Sequence, residues 1–382
     1  MIDFSLSEEQ LAIQKMARDF ALSEIAPVAA EYDRTADYPA GIISSAFKAG
    51  LVYGTVPEEY GGGGLNALDQ LIIAEELSAA CSGISSCIAI NGLAAIPLVF
   101  FGSSEQKEKY LTTACREEKL MALCVTEPGA GSDVASICTA AARDGNHYRI
   151  SGNKTFITNG GVADYYVVFA TLDRTLGHKG ITAFLVPRDA PGISFGKKED
   201  KMGQRAACTT DVIFDRVAVP AENRIGEEGQ GFKIIMETFN HSRPGVAASA
   251  VGVARSAMEC SLKYAFEREQ FGMPIFMHQA VMFLLADMAK DIEAGRLLAW
   301  KAAWKSSRGL DNSKNAAIAK VFCGDMVMKV TTDAAQVMGG YGYIKDYPLE
   351  KLMRDAKVFQ IYEGTAQIQR LLIGRALHRE YC

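Results

Sequence analysis

The sequence predicts an α+β protein whose chain runs helical, then β-rich, then helical again. Apolar residues recur at helical spacing in the first and last thirds, and short β-branched and aromatic runs fill the stretch between them. The character changes near Met121 and changes back after Gly229-Gln230-Gly231. The expected units are therefore residues 1–120, 121–228 and 229–382. A length of 382 residues suits two or three folding units at ~150 residues each. Apolar residues make up 49% and charged residues 22%, enough for a large core and unlike a disordered chain.

In the first unit, Ser5-Leu6-Ser7-Glu8 reads as a capping box, with Ser5 as N-cap and Glu8 reaching back. Ile13, Ala17 and Phe20 follow at helical spacing, and Pro27 ends or kinks that helix. Gly61 to Gly64 form a loop, since consecutive glycines are costly inside a helix. Leu68 to Cys81 and Gln106 to Leu111 read as helices. The apolar stretch Ile84 to Phe101 contains Asn91, Gly92 and Pro97 and lacks a flanking basic cluster. A buried helix or helix pair is expected there, without membrane insertion.

The middle unit carries the strand-like runs Leu123–Thr126, Tyr148–Ser151, Tyr165–Ala170, Ile181–Val186 and Val212–Phe214. Asp144-Gly145-Asn146, Gly152-Asn153, Gly177 to Gly180 and Pro191-Gly192 punctuate them. Short strands at this spacing predict a small β barrel or sandwich. The last unit holds long Ala-, Leu- and Met-rich segments, Phe239–Tyr264, Met282–Trp304 and Lys314–Met338, whose apolar stripes read as helix core.

The formal net charge of −5 and the lack of a Lys/Arg run argue against a nucleic-acid partner. Nine cysteines are scattered without a CxxC pair, which fits reduced buried thiols better than disulfides or a cysteine nucleophile. Five histidines without ligand spacing give no metal site. No signal or transit peptide is visible behind Met1-Ile2-Asp3-Phe4, so a bacterial-type cytoplasmic protein is expected.

Several segments offer chemistry. Glu363 is a lone carboxylate in Ile361-Tyr362-Glu363-Gly364-Thr365; desolvation there would raise its pKa toward the range of a general base. A buried, paired structural glutamate explains the residue equally well at this level. Thr126-Glu127-Pro128-Gly129-Ala130-Gly131-Ser132-Asp133 offers backbone amides and hydroxyls to an anion, or is simply a β-turn. It is neither a P-loop nor a GxGxxG turn. Phe156 and Thr158, two apart before Asn159-Gly160-Gly161, would share one strand face and present a ring and a hydroxyl to a planar ligand. A plain strand with a Gly-Gly turn accounts for them too. Gln336 to Tyr343 ends a helix, with Gly339 and Gly340 capping it in the left-handed way or admitting a ligand. Arg268 near Gln270 is a helix end or a phosphate ligand. His278, beside Gln279, reads as a core histidine. Asn240-His241-Ser242-Arg243-Pro244 opens a helix, whose N-terminus with Arg243 would suit an anion; an N-cap with an exposed Arg explains the segment more simply. No GxSxG elbow or Ser-His-Asp order supports hydrolysis.

Together these segments resemble the acyl-CoA dehydrogenase family over essentially the whole chain. The C-terminal third is most similar to its medium- and short-chain members, through Ser242-Arg243-Pro244, Ala265-Phe266-Glu267-Arg268, His278-Gln279, the run Tyr347 to Lys357 and Ile361-Tyr362-Glu363-Gly364-Thr365. The resemblance implies an N-terminal helical domain, a central β domain, a C-terminal four-helix bundle, FAD, a homotetramer and an electron-transfer flavoprotein as acceptor. It implies that Glu363 removes the α-proton of an acyl-CoA thioester while flavin N5 takes the β-hydride, giving the 2-enoyl-CoA.

By the same resemblance, Leu123, Val125, Thr126, Gly131 and Ser132 line the flavin, Thr158 bonds near N5 and Phe156 covers the ring, where the family more commonly has Trp. Arg268, Gln270, Gln279, Gln336, Gly339 and Gly340 hold the pyrophosphate and adenine side, partly across a subunit interface. Gly364, Thr365 and Gln367 join the cofactor set. Ser132, Tyr362, Arg243 and Asn240, where the family often has Asp, contact the substrate. Some relatives place the base at the position of Ser242, which is not acidic here. No Arg near Ala89 to Leu93 pairs a distal carboxylate, so a short- or medium-chain monocarboxylic acyl-CoA is expected. Asn91 is either a helix-end hydrogen bonder or, if it faces the pocket, a residue that favours an alicyclic acyl group instead. A non-catalytic flavin- or acyl-CoA-binding assembly partner is the competing class, and a direct oxidase is a third.

Overall fold

A computed structural model describes residues 4–382. The first unit is helical: α1 (Glu8–Phe20), α2 (Ala29–Thr35), α3 (Ala40–Lys48), α4 (Ala67–Phe101), and the short α5 (Ser104–Gln106) and α6 (Thr112–Arg116). The first cap differs from expectation. Ser7, not Ser5, is the N-cap, and its hydroxyl accepts from the Gln10 amide while the Gln10 side chain accepts from the Ser7 amide. Glu8 instead sits in the first turn, where a carboxylate faces the positive helix end. A 3₁₀ turn, Ala26–Val28, holds Pro27 and separates the first helical stretch from α2, as its missing N–H dictates.

The buried apolar stretch belongs to α4, which is two helices joined at Cys81, where φ is −163° and ψ is 111°. Asn66 and Asp69 cap its start reciprocally. By length and composition α4 could cross a membrane, but half of its most apolar window is buried inside the fold.

The middle unit is one eight-stranded sheet. Its strands are β1 (Met121–Cys124), β2 (Ala140–Asp144), β3 (His147–Thr158), β4 (Tyr165–Thr171), β5 (Ile181–Pro187), β6 (Ile193–Lys198), β7 (Thr209–Pro220) and β8 (Arg224–Ile225). The order is β6-β7-β3-β2-β4-β5-β8, with β1 pairing β4 in parallel. Side chains of β3 and β7, such as Tyr148 and Phe214, share a core with Tyr166 and Phe184 of β4 and β5. The alternate residues Val167, Phe169, Ala183 and Leu185 pack instead into the core of the N-terminal helices. Burial on both faces is why β4 and β5 read as unbroken apolar runs. Strands β2, β6 and β8 lie outside the sequence expectation: β2 is mostly exposed, β6 is a Gly- and Lys-containing edge, and β8 has two residues.

The last unit comprises α7 (Gly231–Glu267), a hairpin of β9 (Glu269–Gln270) and β10 (Met273–Pro274), α8 (Gln279–Ser307), α9 (Ser313–Met338), α10 (Gly340–Tyr343), α11 (Leu349–Ala356) and α12 (Ala366–Tyr381). Helices α7, α8 and α9 pack on one another, and α12 lies on α9. Small residues bring these helices close. A Cβ on Gly252 would stand 2.2 Å from the Glu75 carbonyl of α4.

Two helix boundaries correct the sequence reading. Asn240 to Pro244 lie inside α7, which starts at Gly231, so no helix N-terminus is available at Arg243. Pro244 cannot donate to the Asn240 carbonyl, and the Asn312 side chain donates to that carbonyl at 3.2 Å instead. The interior proline is thereby tolerated. His278 is the half-buried N-cap of α8 rather than a core residue; its Nε2 lies 3.2 Å from the Gln270 carbonyl.

Candidate active site

Glu363 occupies a turn between α11 and α12 with left-handed backbone, φ +52°, followed by Gly364 at +89°. A glutamate in that conformation is strained and persists only where its surroundings hold it. Arg243 Nε donates to the Glu363 carbonyl at 3.2 Å, and Gln369 Nε2 donates to the Glu363 and Gly364 carbonyls at 3.2 and 3.1 Å. Lys320 Nζ donates to the Gly364 carbonyl at 2.6 Å. The Ser242 hydroxyl donates to the Glu363 carboxylate itself.

Burial pushes the Glu363 carboxyl above the ordinary carboxylate range, against the opposing pull of Ser242, Arg243 and Lys320. Burial also pushes the Arg243 guanidinium down to about 10 and the Lys320 ammonium down to about 8, although Glu363 opposes both shifts. The result is a proton acceptor with a raised pKa, fixed at the convergence of α7, α9 and α12. Asn240, one turn before Arg243, faces the same corner, its Oδ1 3.5 Å from Arg243 Nη1. Tyr362 packs edge-on against Phe359, and burial raises its phenol well above the usual range. Thr365 is the N-cap of α12, its hydroxyl oxygen accepting from the Ile368 amide, and Gln367 is exposed in the first turn.

A second group of residues gathers where β1 ends beside β3. The backbones of Glu127 and Ala130 exchange hydrogen bonds of 3.1 and 3.0 Å, so the turn reading of this loop is correct as far as it goes. Beneath it lies a buried ion pair, Lys154 Nζ to Glu127 at 2.8 Å, and the Cys138 and Thr139 amides also donate to that carboxylate. Lys154 further donates to the Val125 carbonyl, and the Thr155 amide to the Thr126 carbonyl. Leu123 and Thr126 are half-buried, Val125 is buried, and Gly131 and Ser132 are exposed.

The strand is irregular up to Phe156, where simple alternation assumes regularity, whereas Thr158 is half-buried and pairs with Thr209. The β3–β7 register shifts between Lys154 and Ile157, and Phe156 has φ +56° with 65% of its surface exposed. Packing among the described residues gives no reason for a large aromatic held outward in a strained conformation.

A third group lines a surface depression of about 400 Å³: Arg268, Gln270, Gly339 and Gly340, with Tyr264 and Tyr341. Gly339 has φ +58° and ψ −133°, outside the left-handed helical region, and Gly340 starts α10, so the expected left-handed cap is not the one formed. Gln336 is in the last turn of α9, its carbonyl accepting from the Gly339 amide, and Gln279 is the first residue of α8. Lys320 and Gln336 lie about 24 Å apart along α9 at roughly 1.5 Å per residue, so this depression is well separated from the Glu363 turn.

These groups fit a phosphate-bearing flavin. Cβ atoms added at Gly129, Gly131, Gly339 or Gly340 would meet nothing within 4 Å, so packing inside the chain does not demand glycine there. Among the described residues, the Arg268 guanidinium has no ion pair. The arrangement offers the Arg268 guanidinium, the amide of Gln270, which donates to the Glu269 carbonyl, and the outward ring of Phe156.

One site expectation is overturned. Asn91 is fully buried; its Nδ2 donates to the Cys87 and Ile88 carbonyls, and its Oδ1 accepts from the Met121 amide at 2.9 Å. It joins α4 to β1 and has no bond left for a pocket. Sequence reading missed Lys320, Gln369 and the Lys154–Glu127 pair. A polar residue at a helical core position was the available signal for the first two. Among the described residues, no group of three or more His, Cys, Asp or Glu side chains could hold a metal ion.

Comparison with known proteins places the whole chain. Family models described as the acyl-CoA dehydrogenase N-terminal, middle and C-terminal domains match residues 7–118, 122–217 and 229–378. A short-chain-specific acyl-CoA dehydrogenase of Clostridium acetobutylicum is 43% identical over 379 residues, covering 99% of this chain and 100% of the relative. Butyryl-CoA dehydrogenase from Megasphaera elsdenii superposes with a TM-score of 0.97 at 42% identity, over 99% of this chain and 100% of that one. A chain solved in work on the electron transferring flavoprotein of Acidaminococcus fermentans and flavin-based electron bifurcation gives 0.97 at 45% identity, with the same coverage. The chain therefore belongs to the acyl-CoA dehydrogenase family of FAD-dependent oxidoreductases.

Proposed function

We propose that this protein dehydrogenates a short- or medium-chain monocarboxylic acyl-CoA thioester to its 2-enoyl-CoA, with Glu363 as the base. The observation that carries this reading is the Glu363 carboxylate, pKa raised by burial, on a left-handed turn that three helices hold in place. An α-proton next to a thioester is very weakly acidic, so its acceptor gains from poor solvation and a fixed position. Ser242 orients the carboxylate by its hydrogen bond, and Arg243 with Asn240 offers a cation and an amide to the CoA moiety. Leu123, Val125, Thr126, Gly131, Ser132, Phe156 and Thr158 would hold the flavin ring end, with Gly364, Thr365 and Gln367 beside the base. Arg268, Gln270, Gln279, Gln336, Gly339 and Gly340 would serve the pyrophosphate and adenine end. When bound, FAD supplies the hydride-accepting chemistry of its N5 position.

The separation of the depression from Glu363 supports a cofactor site shared between subunits of a homotetramer. Exposed Phe271 and Tyr343 near it, at 92% and 87%, support an interface there. An electron-transfer flavoprotein is the proposed acceptor, on the strength of the Acidaminococcus likeness, and the bacterial cytoplasm is the proposed compartment. The alicyclic alternative loses its residue, because Asn91 is committed to α4 and β1.

The test is reduction of the bound flavin by butyryl-, octanoyl- and cyclohexanecarbonyl-CoA, followed with a dye acceptor. Glu363→Gln should keep the yellow flavin and lose bleaching by at least a thousandfold. Undiminished bleaching by that variant rejects Glu363 as the base, and a purified protein without flavin absorbance favours a non-catalytic assembly partner.

A further inference from the structure

Lys320 has no part in the cofactor and substrate sets above, yet it stands beside the base. It lies about two turns into α9 with 1% of its surface exposed, and among the described residues it has no ion pair within salt-bridge distance. An ammonium in such a place is disfavoured unless its charge or its hydrogen bonds are used. Its one hydrogen bond goes to the Gly364 carbonyl at 2.6 Å, one residue beyond the base.

Glu363 and Gly364 are both left-handed, and their two carbonyls are drawn into the bundle by Arg243, Gln369 and Lys320. Turning a carbonyl inward fixes the peptide plane, and with it the direction of the neighbouring side chain. Of these three side chains, Lys320 is the sole partner of the Gly364 carbonyl from α9.

We propose that Lys320 is a positioning residue for Glu363: its amine locks the Gly364 carbonyl and so the left-handed turn that carries the carboxylate. The inference rests on the dehydrogenase reading. The groups that face the pair are few. From α7 come the Ser242 hydroxyl and the Arg243 guanidinium, and from α12 the neutral Gln369. From α9 comes Asp325, which Arg370 and Gln360 already bind. Tyr362 adjoins the base and stays protonated. Removing the Lys320 charge therefore leaves Arg243 as the one cation acting on Glu363, and the carboxyl must ionise at higher pH.

Lys320→Met keeps an unbranched side chain, one atom shorter, and removes both the donor and the charge. Two measurements read the effect on the FAD-loaded protein. The first is the pH dependence of flavin bleaching by butyryl-CoA. The second needs no turnover: infrared titration of the Glu363 carboxyl band, assigned by its loss in Glu363→Gln. The expected result is an upward displacement of both by about one pH unit, with bleaching at the plateau slowed about tenfold and flavin content retained. Lys320→Arg should return the titration toward wild type. If Lys320→Met does not fold, Lys320→Gln, which keeps a donor and lacks the charge, should still displace the titration. Wild-type titration and wild-type bleaching in a folded uncharged variant overturn the proposal. Should wild type itself be bleached by none of the three thioesters, the dehydrogenase reading fails, while the infrared titration still decides whether Lys320 governs Glu363.

Discussion

At the scale of the residue, burying the Glu363 carboxyl has a cost in stability that depends on pH. Its folded pKa lies above the unfolded value, so the group favours the folded state only while protonated. That contribution is present below the unfolded value near 4.5 and is lost as pH rises through the raised folded value. Glu363→Gln, which stays neutral, should therefore be more stable than wild type at pH 8 by on the order of 1 kcal/mol and equal to it in acid. Denaturant unfolding at pH 8 and pH 4 checks this; a variant less stable at pH 8 would show that Ser242, Arg243 and Lys320 stabilise the carboxylate more than burial disfavours it. Phe156 carries a local cost of another kind, in its positive φ and outward ring.

At the scale of the element, close approach decides what each helix can carry. Helices α4 and α7 meet at Gly252, where any side chain would be driven into the Glu75 backbone rather than into a movable neighbour. Gly252→Ala should thus cost about 1–3 kcal/mol, the range for forced overpacking, even though alanine is the better helix former. Thermal unfolding of the FAD-loaded protein measures it, and an unchanged melting temperature would mean that the two helices can part at no cost. Pro244 illustrates the complementary case. An interior proline breaks a helix unless the freed carbonyl finds another donor, and Asn312 provides it from the loop before α9.

At the scale of the whole molecule, an ion network joins the first unit to the last. Glu75 and Glu76 of α4 are buried, and Arg296 of α8, Arg255 of α7 and Arg18 of α1 converge on them. Burial opposes the ionisation of Glu76, but hydrogen bonds from Arg18 and Arg255 outweigh it and hold the carboxyl below its ordinary range. Its stabilisation is present above the unfolded value near 4.5 and fades as pH falls through the lowered folded one. Glu76→Gln should cost about 3 kcal/mol at pH 7, the low end for breaking a buried pair because Arg18 is half exposed. The gap to wild type should close in acid, where both carry a neutral group; a pH-independent difference in urea midpoints would assign the loss to packing instead.

The sequence by itself determined the order of the three parts, the β4 and β5 runs, the long bundle helices and the family motif around Glu363. These rest on local periodicity, turn chemistry and motif spacing, which a linear chain records. It placed the first cap two residues early, opened a helix at Asn240 and left open whether Asn91 faces a pocket; the last two outcomes depend on partners distant in sequence. Only the tertiary structure set Asn91 against Met121, Asn312 under Pro244, Lys154 beneath the Thr126 loop, and Lys320 and Gln369 behind the Glu363 turn. A buried polar residue looks alike in sequence whether it is structural or functional; what distinguishes the two is which group it meets across the core, and folding alone supplies that.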